Sequence, residues 1–200
     1  MVKRSLMVFL LIVILWSLSF SLDFSVNVGV DFLGKLTVEL GALKVSTDVS
    51  LGFSALTDVF YPVNENLEVG GGVGISSILT LDNENTNDNV LISPIYGVLK
   101  LNYKLVEVDE NLEIFILGRV GYPYYYENSI LMFFDESISV KGYGRLYYSF
   151  GGGFNYKGFQ IQATYDTFNF EYSIGDSENS FAIPFTYSKF GVFVGYLFQF

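Results

Sequence analysis

The sequence alternates apolar and polar residues with a period of two over most of its length, and this alternation restricts its fold. From Phe24 to Phe32 every second residue is apolar, and the residues between them are Ser, Asn, Gly and Asp. A period of two is the pattern of a β-strand whose two faces meet different surroundings. Seven further segments alternate in the same way, so the sequence predicts an all-β fold. Their apolar sets are Val45 to Tyr61, Leu67 to Leu79, Ile95 to Leu105 and Phe159 to Thr167 by odd numbers, and Leu112 to Tyr124, Gly144 to Tyr156 and Phe190 to Phe200 by even numbers.

The charged residues of these segments are confined to the opposite face. None of the apolar sets contains Asp, Glu, Lys or Arg. A chargeless face rich in aromatic residues suits hydrocarbon, and a sheet spans a bilayer as a closed barrel because an open edge leaves backbone groups unpaired. We therefore predict a transmembrane antiparallel β-barrel; a soluble, lipocalin-like barrel would have the reverse phase, with an apolar interior. The charges predicted to face inward are Asp23, Asp31, Asp48, Asp58, Glu68, Glu113, Asp166, Lys44, Lys100, Lys104, Arg119, Arg145 and Lys189.

A short internal repeat predicts the number of strands. The segment VNENLEV at 63–69 recurs as VDENLEI at 108–114, and similar strand starts lie near Leu22 and Phe159. Four evenly spaced starts predict four hairpins, which make an up-and-down barrel of eight strands with both termini in the periplasm. We expect short connections at 62–66, 107–110 and 157–158. Longer connections are expected near 80–93, 126–142 and 171–182, whereas the connection near 33–43 is not assigned a length.

Residues 1–21 have the composition of an export signal. A Lys-Arg pair precedes an unbroken apolar run that ends at Trp16, and serines follow at alternate positions. This order is typical of a cleaved secretory signal peptide, and the run is shorter than the about 20 residues that a spanning helix needs. We predict cleavage after Ser19 or Ser21 and a barrel domain over residues 22–200.

The C-terminal strand carries the most specific motif of the sequence. The chain ends in Phe200, and apolar or aromatic residues precede it at every second position, among them Tyr196 and Phe198. This ending resembles the C-terminal signature of bacterial outer-membrane β-barrel proteins, and the eight-strand count resembles the small OmpA/OmpX-like barrels. The resemblance implies an outer-membrane protein of a diderm bacterium whose partners are outer-membrane lipid and the barrel-assembly machinery. It also implies that Tyr196, Phe198 and Phe200 form the assembly signal.

The polar face of the strands is expected to fill the lumen. An eight-stranded barrel has an interior just wide enough for side chains, and buried charges need partners because an isolated buried ion costs several kcal/mol. Lys104 is expected opposite Glu113 and beside Glu68, within an acidic ring that also includes Asp23. The residues predicted to form a salt-bridged network are Asp48, Glu68, Lys100, Lys104, Glu113, Arg119, Arg145, Asp166 and Lys189.

Two functions of different classes follow from this interior. If the network closes the lumen, the protein has a structural or surface-interaction role, in adhesion or membrane integrity, through its outer loops. If a narrow path remains, the acidic ring favours the passage of cations or small solutes. An apolar ligand tunnel, as in OmpW-like barrels, is a further alternative. We expect instead that inward glycines make room for large side chains such as Phe115, Tyr147 and Phe193.

The composition argues against several other functions. The sequence contains no histidine and no cysteine, and we assign no catalytic, cofactor-binding or metal-binding residues. Enzymatic outer-membrane barrels use a histidine in or near the active site, so a lipid-active enzyme of unfamiliar chemistry is only a third and weaker hypothesis. A net charge of −10 disfavours nucleic acid as a partner. Asp48 and Asp166 are expected to be structural partners of arginines, and segment 82–89, which lacks the spacing of a calcium loop, is expected to be solvated.

Overall fold

The strands form a closed antiparallel barrel in sequence order. The computed structural model describes residues 22–41, 43–79, 89–104, 111–125, 140–176 and 179–199. Strand β8 pairs with β1, which closes the barrel, and the pair Phe24–Phe198 brings the two ends of the described chain to one end of it. The predicted eight-stranded up-and-down barrel is confirmed. The strands are β1 (Asp23–Leu40), β2 (Leu43–Asn64), β3 (Leu67–Leu79), β4 (Asn89–Lys104), β5 (Leu112–Tyr125), β6 (Val140–Tyr156), β7 (Phe159–Asp176) and β8 (Asn179–Phe198).

An apolar belt surrounds the barrel. The described side chains predicted to face lipid in β3, β4 and β5 are exposed or half-buried on the outside, as are those of β1 as far as Phe32. Aromatic side chains border the belt at both ends: the rings of Phe24 and Phe198 lie 6.2 Å apart at the end with the termini, and those of Phe32 and Phe190 lie 5.1 Å apart at the other. Aromatic side chains prefer the membrane interface, so these pairs mark the two boundaries of the membrane. In the described part of the chain, no helix is long and apolar enough to cross a membrane.

Two tight turns lie at the end of the barrel that carries the termini. Lys157 and Gly158 both have positive φ, 51° and 86°, which is the conformation of a type I′ hairpin turn. Strand β2 runs to Asn64, whose side-chain Oδ1 accepts a hydrogen bond from the backbone N–H of Asn66 at 2.9 Å. The predicted turn at 62–66 is therefore shorter than expected, and the predicted turn at 107–110 lies outside the described residues. Short turns are typical of the periplasmic end of outer-membrane barrels.

Toward the other end of the barrel, two β-bulges exchange the inner and outer faces of the strands. Leu33 has a φ of 52°, and the β1–β8 register shifts between Phe32 and Lys35. Past this bulge Val49 of β2, predicted to face lipid, is buried, whereas Asp48 and Lys44, predicted to face the lumen, are exposed. These three predictions are wrong because one extra residue in a bulge moves the following side chains to the other face.

The second bulge lies in β6. The β6–β7 register shifts between Gly144 and Leu146, which leaves Arg145 as the extra residue. Gly144 is buried and the Arg145 side chain is 63 % exposed, so both predicted orientations are reversed for the same reason.

Above the apolar belt, strands β2, β1, β8, β7 and β6 continue as a sheet. We call residues 35–40, 43–48, 140–146, 167–176 and 179–188 the projecting sheet. It extends for about 30 Å along β7, at about 3.3 Å per residue. The connection predicted near 171–182 is wrong in length, because β7 and β8 occupy almost all of this range. The connection near 33–43, to which no length was assigned, is short, since β1 continues to Leu40 and β2 begins at Leu43.

On the outer face of the projecting sheet polar side chains form three successive rows; Thr37 and Thr167 within them are buried, and Leu146 beside them is exposed. Lys35 lies opposite Ser188, and the Ser188 hydroxyl is 3.2 Å from that of Thr167. In the next row the hydroxyls of Thr37 and Ser46 lie 3.1 Å apart. The third row contains two ion pairs, Lys44–Glu39 at 2.8 Å and Arg145–Glu171. Such rows do not face hydrocarbon, so the projecting sheet stands outside the hydrocarbon core of the membrane.

Candidate functional site

Three buried ion pairs lie in the lumen at successive levels, and the middle one joins strands that are not neighbours. Each joins a base on one strand to an acid on another, and all six side chains are at most 8 % exposed. From the periplasmic end outward the pairs are Lys100 Nζ–Glu68 Oε2 at 3.1 Å, Arg119 Nη2–Asp58 Oδ2 at 2.9 Å and Lys189 Nζ–Asp31 Oδ2 at 2.6 Å.

The periplasmic pair is enclosed by aromatic rings. Lys100 Nζ lies 4.8 Å from the ring centroid of Phe60 and 5.0 Å from that of Phe115. Asn102 Nδ2 donates a hydrogen bond to the second oxygen of the Glu68 carboxylate. Both carboxylate oxygens of Glu68 therefore have donors, and the ammonium group lies against two ring faces, an arrangement that stabilises a buried cation.

The middle pair has two contacts between the guanidinium group and the carboxylate. Arg119 donates from Nη2 to Oδ2 of Asp58 at 2.9 Å and from Nε to Oδ1 at 3.4 Å. The guanidinium carbon is 5.4 Å from the ring centroid of Tyr96, and Nη2 is 3.5 Å from Oε1 of Gln162. Residues from β2, β4, β5 and β7 meet here, so the group fills the cross-section of the barrel.

The outermost pair is part of a wider group. Lys189 Nζ donates to Asp31 Oδ2 and also to the hydroxyls of Ser54 at 2.5 Å and Ser76 at 2.7 Å. All three ammonium protons are used, and the contacts tie β8 to β1, β2 and β3.

Asp166 lies beside this group with donors of its own. Its two oxygens accept hydrogen bonds from the Tyr147 hydroxyl at 2.9 Å and the Thr164 hydroxyl at 2.8 Å.

Inward glycines make room for the large side chains. A Cβ added to Gly72 would lie 2.7 Å from the ring of Tyr96 and 2.8 Å from Asp58 Oδ1. At Gly191 it would lie 2.6 Å from the ring of Phe193 and 2.9 Å from Asp31 Oδ1. These positions lack a side chain because the ion pairs and their aromatic neighbours occupy the space.

An aromatic row leads from the middle of the lumen to the projecting sheet. Ring centroids lie 5.5 Å apart for Tyr96 and Tyr147, 4.9 Å for Tyr147 and Phe168, and 5.9 Å for Phe168 and Tyr187. All four side chains are at most 4 % exposed. The row therefore extends the packed interior beyond the outermost ion pair.

The structure brings together most of the residues predicted for the polar network. Asp48 and Arg145 are corrected: they lie on the outer face, because the bulges near Leu33 and at Arg145 reverse the facing of the strands. The predicted pairing of Asp48 or Asp166 with Arg119 or Arg145 does not occur among the described residues. The predicted network residues that face the lumen are Glu68, Lys100, Glu113, Arg119, Asp166 and Lys189.

One predicted neighbour of Lys104 is confirmed and the other is wrong. Its register partner on β5 is Glu113, as expected, but the residue opposite Glu68 on β4 is Lys100. The Lys104 side chain lies outside the described residues. Because Lys100 is paired with Glu68, the expected acidic ring of Asp23, Glu68 and Glu113 is partly neutralised.

Some residues of the interior were not assigned to the network from the sequence. The alternation placed Asp31 and Asp58 on the inner face, yet both were omitted although they accept two of the three cations. Tyr96, Phe168 and Tyr187 lie in the same inward phase as the charges. Their inward position in the alternation would have identified these residues, because in a narrow barrel any large inward side chain contacts the charges.

The apolar belt, the closed sheet and the polar interior define an integral β-barrel protein of the bacterial outer membrane. No protein-family model matches the sequence, and no curated protein matches it. Solved structures share the fold. The outer membrane protein AlkL, determined by solid-state NMR in DMPC bilayers, is 17 % identical with a TM-score of 0.50, over 89 % of this chain and 90 % of AlkL.

Two further barrels align over nearly their whole length. OprG from Pseudomonas aeruginosa is 12 % identical with a TM-score of 0.46, over 89 % of this chain and 96 % of OprG. Ail, the attachment invasion locus protein of Yersinia pestis, is 13 % identical with a TM-score of 0.40, over 88 % of this chain and 98 % of Ail. At such low identities the comparison shows the fold and leaves the function to be argued from this chain's own residues.

Proposed function

We propose that this protein is a closed outer-membrane barrel that presents the projecting sheet at the cell surface for contact with an external partner. The observation that carries the proposal is the change in the barrel at the outer boundary of the membrane. Below it the lumen is filled by three ion pairs, and above it five strands continue with a polar outer face. The outer loops were the expected place of such contacts; the strands themselves supply a larger described surface.

The exposed edge of β2 supports a role in protein contact. Residues 43–48 are all exposed, and in the described part of the chain they pair with β1 alone, because β3 joins β2 only from Leu51 onward. A strand edge with unpaired backbone groups is a template for an added strand. We infer that the partner contributes an extended segment that pairs with this edge.

The interior argues against conduction. Arg119, Lys100 and Lys189 each have a carboxylate partner within 3.1 Å, and Tyr147 and Phe193 fill the space between the pairs. Separating such a pair to admit an ion exposes two buried charges at a cost of several kcal/mol. The alternative function, a narrow channel with a mild cation preference, draws support from the described inward charges, among which acids outnumber bases.

The interior also argues against catalysis. Ser54 and Ser76 lie within hydrogen-bond distance of Lys189, which resembles the nucleophile and base of a Ser–Lys hydrolase. Both hydroxyls accept hydrogen bonds from Lys189 Nζ, whose third contact is the ion pair with Asp31 at 2.6 Å, so the lysine accepts no proton from either serine in this arrangement. We propose that the group is structural and that the protein is not an enzyme.

Removing the tip of the β1–β2 hairpin tests the surface role. Lys35 and Asp48 are register partners, so residues 36–47 are replaced by Asn-Gly, which favours a two-residue hairpin turn. Cells displaying either form are compared for adhesion to immobilised matrix proteins and for aggregation with one another. We expect that only cells with the intact sheet adhere or aggregate. Equal behaviour of both forms contradicts the proposal when gel mobility before and after heating shows that both are folded.

Planar bilayer recording separates the two functions. We expect no steady openings from the refolded wild-type protein. Steady openings whose cation selectivity falls in Glu68→Gln and Glu113→Gln would replace the proposed role by the channel.

A further inference from the structure

A pocket lies in the barrel wall at the first bulge. It is lined by Leu33, Gly34, Lys35, Asp48 and Val49. Its inner side is closed, because a Cβ at Gly34 would lie 3.0 Å from Cβ of Val49 and 3.2 Å from the ring of Tyr187. The pocket is therefore a recess of the outer surface with the packed interior behind it.

The mouth of the pocket carries two opposite charges that do not pair with each other. Lys35 and Asp48 are register partners on adjacent strands and both are exposed. Neither forms an ion pair within the described strands, whereas Lys44 and Glu39, register partners farther out, are joined at 2.8 Å. A cation and an anion that lie on one surface without forming an ion pair complement a ligand that carries both charges.

The pocket lies at the level of the lipid headgroups. Directly below it, Phe32 faces outward with its register partner Leu51, and the ring of Phe32 contacts that of Phe190. Lys35 and Asp48 belong to the first polar row of the projecting sheet, and the next two rows lie above them. A molecule in this pocket would therefore have its polar part beside the two charges and its apolar part against Phe32 and Leu51.

We propose that this pocket binds the phosphoethanolamine headgroup of a membrane lipid. The phosphate accepts hydrogen bonds from the Lys35 ammonium group, the ethanolamine ammonium group donates to the Asp48 carboxylate, and the acyl chains lie along Phe32 and Leu51. This site is independent of the partner of the projecting sheet. It would attach the base of that sheet to the lipid surface through non-covalent contacts.

Native mass spectrometry of the delipidated full-length barrel in detergent tests the proposal. The protein is titrated with phosphatidylethanolamine, phosphatidylcholine and phosphatidylglycerol of identical acyl chains. We expect about fivefold more bound phosphatidylethanolamine than phosphatidylglycerol, as one partly exposed ion pair, that of the ethanolamine with Asp48, would give. Phosphatidylcholine, whose quaternary ammonium group has no proton to donate to Asp48, is expected to bind at an intermediate level.

Three variants assign the preference to the pocket. Asp48→Asn is expected to abolish the preference for phosphatidylethanolamine over phosphatidylglycerol, and Lys35→Gln to lower the binding of both. Lys44→Gln, an exposed lysine on the same sheet, is the matched control and should behave as wild type. Equal binding of the three lipids by the wild type, or an unchanged preference in Asp48→Asn, overturns the proposal.

Soluble phosphoethanolamine distinguishes the free headgroup from the lipid. At the same concentration as the lipid, it should not displace bound phosphatidylethanolamine, because it lacks the acyl chains that contact Phe32 and Leu51. Full displacement would show a site for the soluble zwitterion and overturn the assignment to a membrane lipid. Heat-dependent gel mobility establishes that each variant is folded.

Discussion

Replacing Arg119 by Met removes the cation from the middle of the lumen while keeping much of its aliphatic volume. Asp58 then loses the 2.9 Å contact to Nη2 and the longer contact to Nε, and its side chain is only 1 % exposed. The variant therefore contains a buried carboxylate without its cation, in a barrel that is otherwise unchanged.

The expected cost follows from the geometry of the pair. Breaking a buried ion pair by removing one partner costs about 3–5 kcal/mol, because the remaining charge is uncompensated. The contact to the Tyr96 ring is lost as well. The equilibrium between folded and unfolded protein should shift by about a hundredfold to several thousandfold toward the unfolded state.

The double variant Arg119→Met/Asp58→Asn separates the charge from the packing. Because it leaves no uncompensated ion, we expect it to recover most of the lost free energy of unfolding, which gives a large coupling energy in a double-mutant cycle.

Urea titration of the protein folded into lipid vesicles measures these values. The single tryptophan, Trp16, precedes the barrel, so folding is followed by gel mobility and circular dichroism. Lys44→Met, which removes an exposed ion pair, is the control and should change stability by less than about 1 kcal/mol. Additive effects of the two lumen substitutions, or a loss below about 1 kcal/mol for Arg119→Met, would refute the reasoning.

Two further substitutions test the packing of the lumen by the same titration. Lys189→Met leaves Asp31 without its cation and should cost about 3–5 kcal/mol, whereas a cost as small as that of an exposed lysine would show that the group is solvated. Gly72→Ala places a methyl group against Tyr96 and Asp58 and should cost about 1–3 kcal/mol, whereas Gly97→Ala, an exposed position with no atom closer than 3.8 Å, should be nearly neutral; equal effects would contradict the packing argument.

The alternation of the sequence was sufficient to predict the membrane-spanning part of the fold. Between Phe24 and Phe32 the side chains meet lipid and lumen in strict turn, so each residue's polarity reports its face. The strand starts at Leu67, Leu112 and Phe159 were found because the four hairpins repeat and each begins after a short turn. Local polarity and turn chemistry carry this information without any knowledge of tertiary contacts.

The bulges were not predictable in the same way. The bulge at Leu33 is a feature of the backbone conformation. The residues Leu33 and Gly34 do not by themselves show whether a strand bulges or ends at this point. Once the facing reverses, Asp48 moves from the predicted lumen to the surface. The partners of Arg119 were also beyond reach, because Asp58 is not on an adjacent strand and the pairing depends on side chains crossing the barrel.

The aromatic row suggests that the lumen and the projecting sheet are mechanically connected, and Phe168 is the residue that tests this connection. Its ring lies between Tyr147, which donates to Asp166, and Tyr187, at the level where β7 and β8 leave the membrane. Phe168→Ala should cost about 3–5 kcal/mol of stability, because a fully buried ring is lost.

The mechanical connection between the lumen and the projecting sheet predicts which strands lose stability in Phe168→Ala. If the row supports the projecting sheet, hydrogen exchange of Phe168→Ala should increase mainly in β7 and β8 above the belt, because sub-global opening there needs the least free energy. The backbone amides of β3 to β5 should keep their protection. Phe115→Ala, which removes an equally buried ring near the periplasmic end, is the matched control and should leave exchange in the projecting sheet unchanged. Equal loss of protection in both variants would mean that barrel and sheet unfold as one unit, and the row would then have no separate mechanical role.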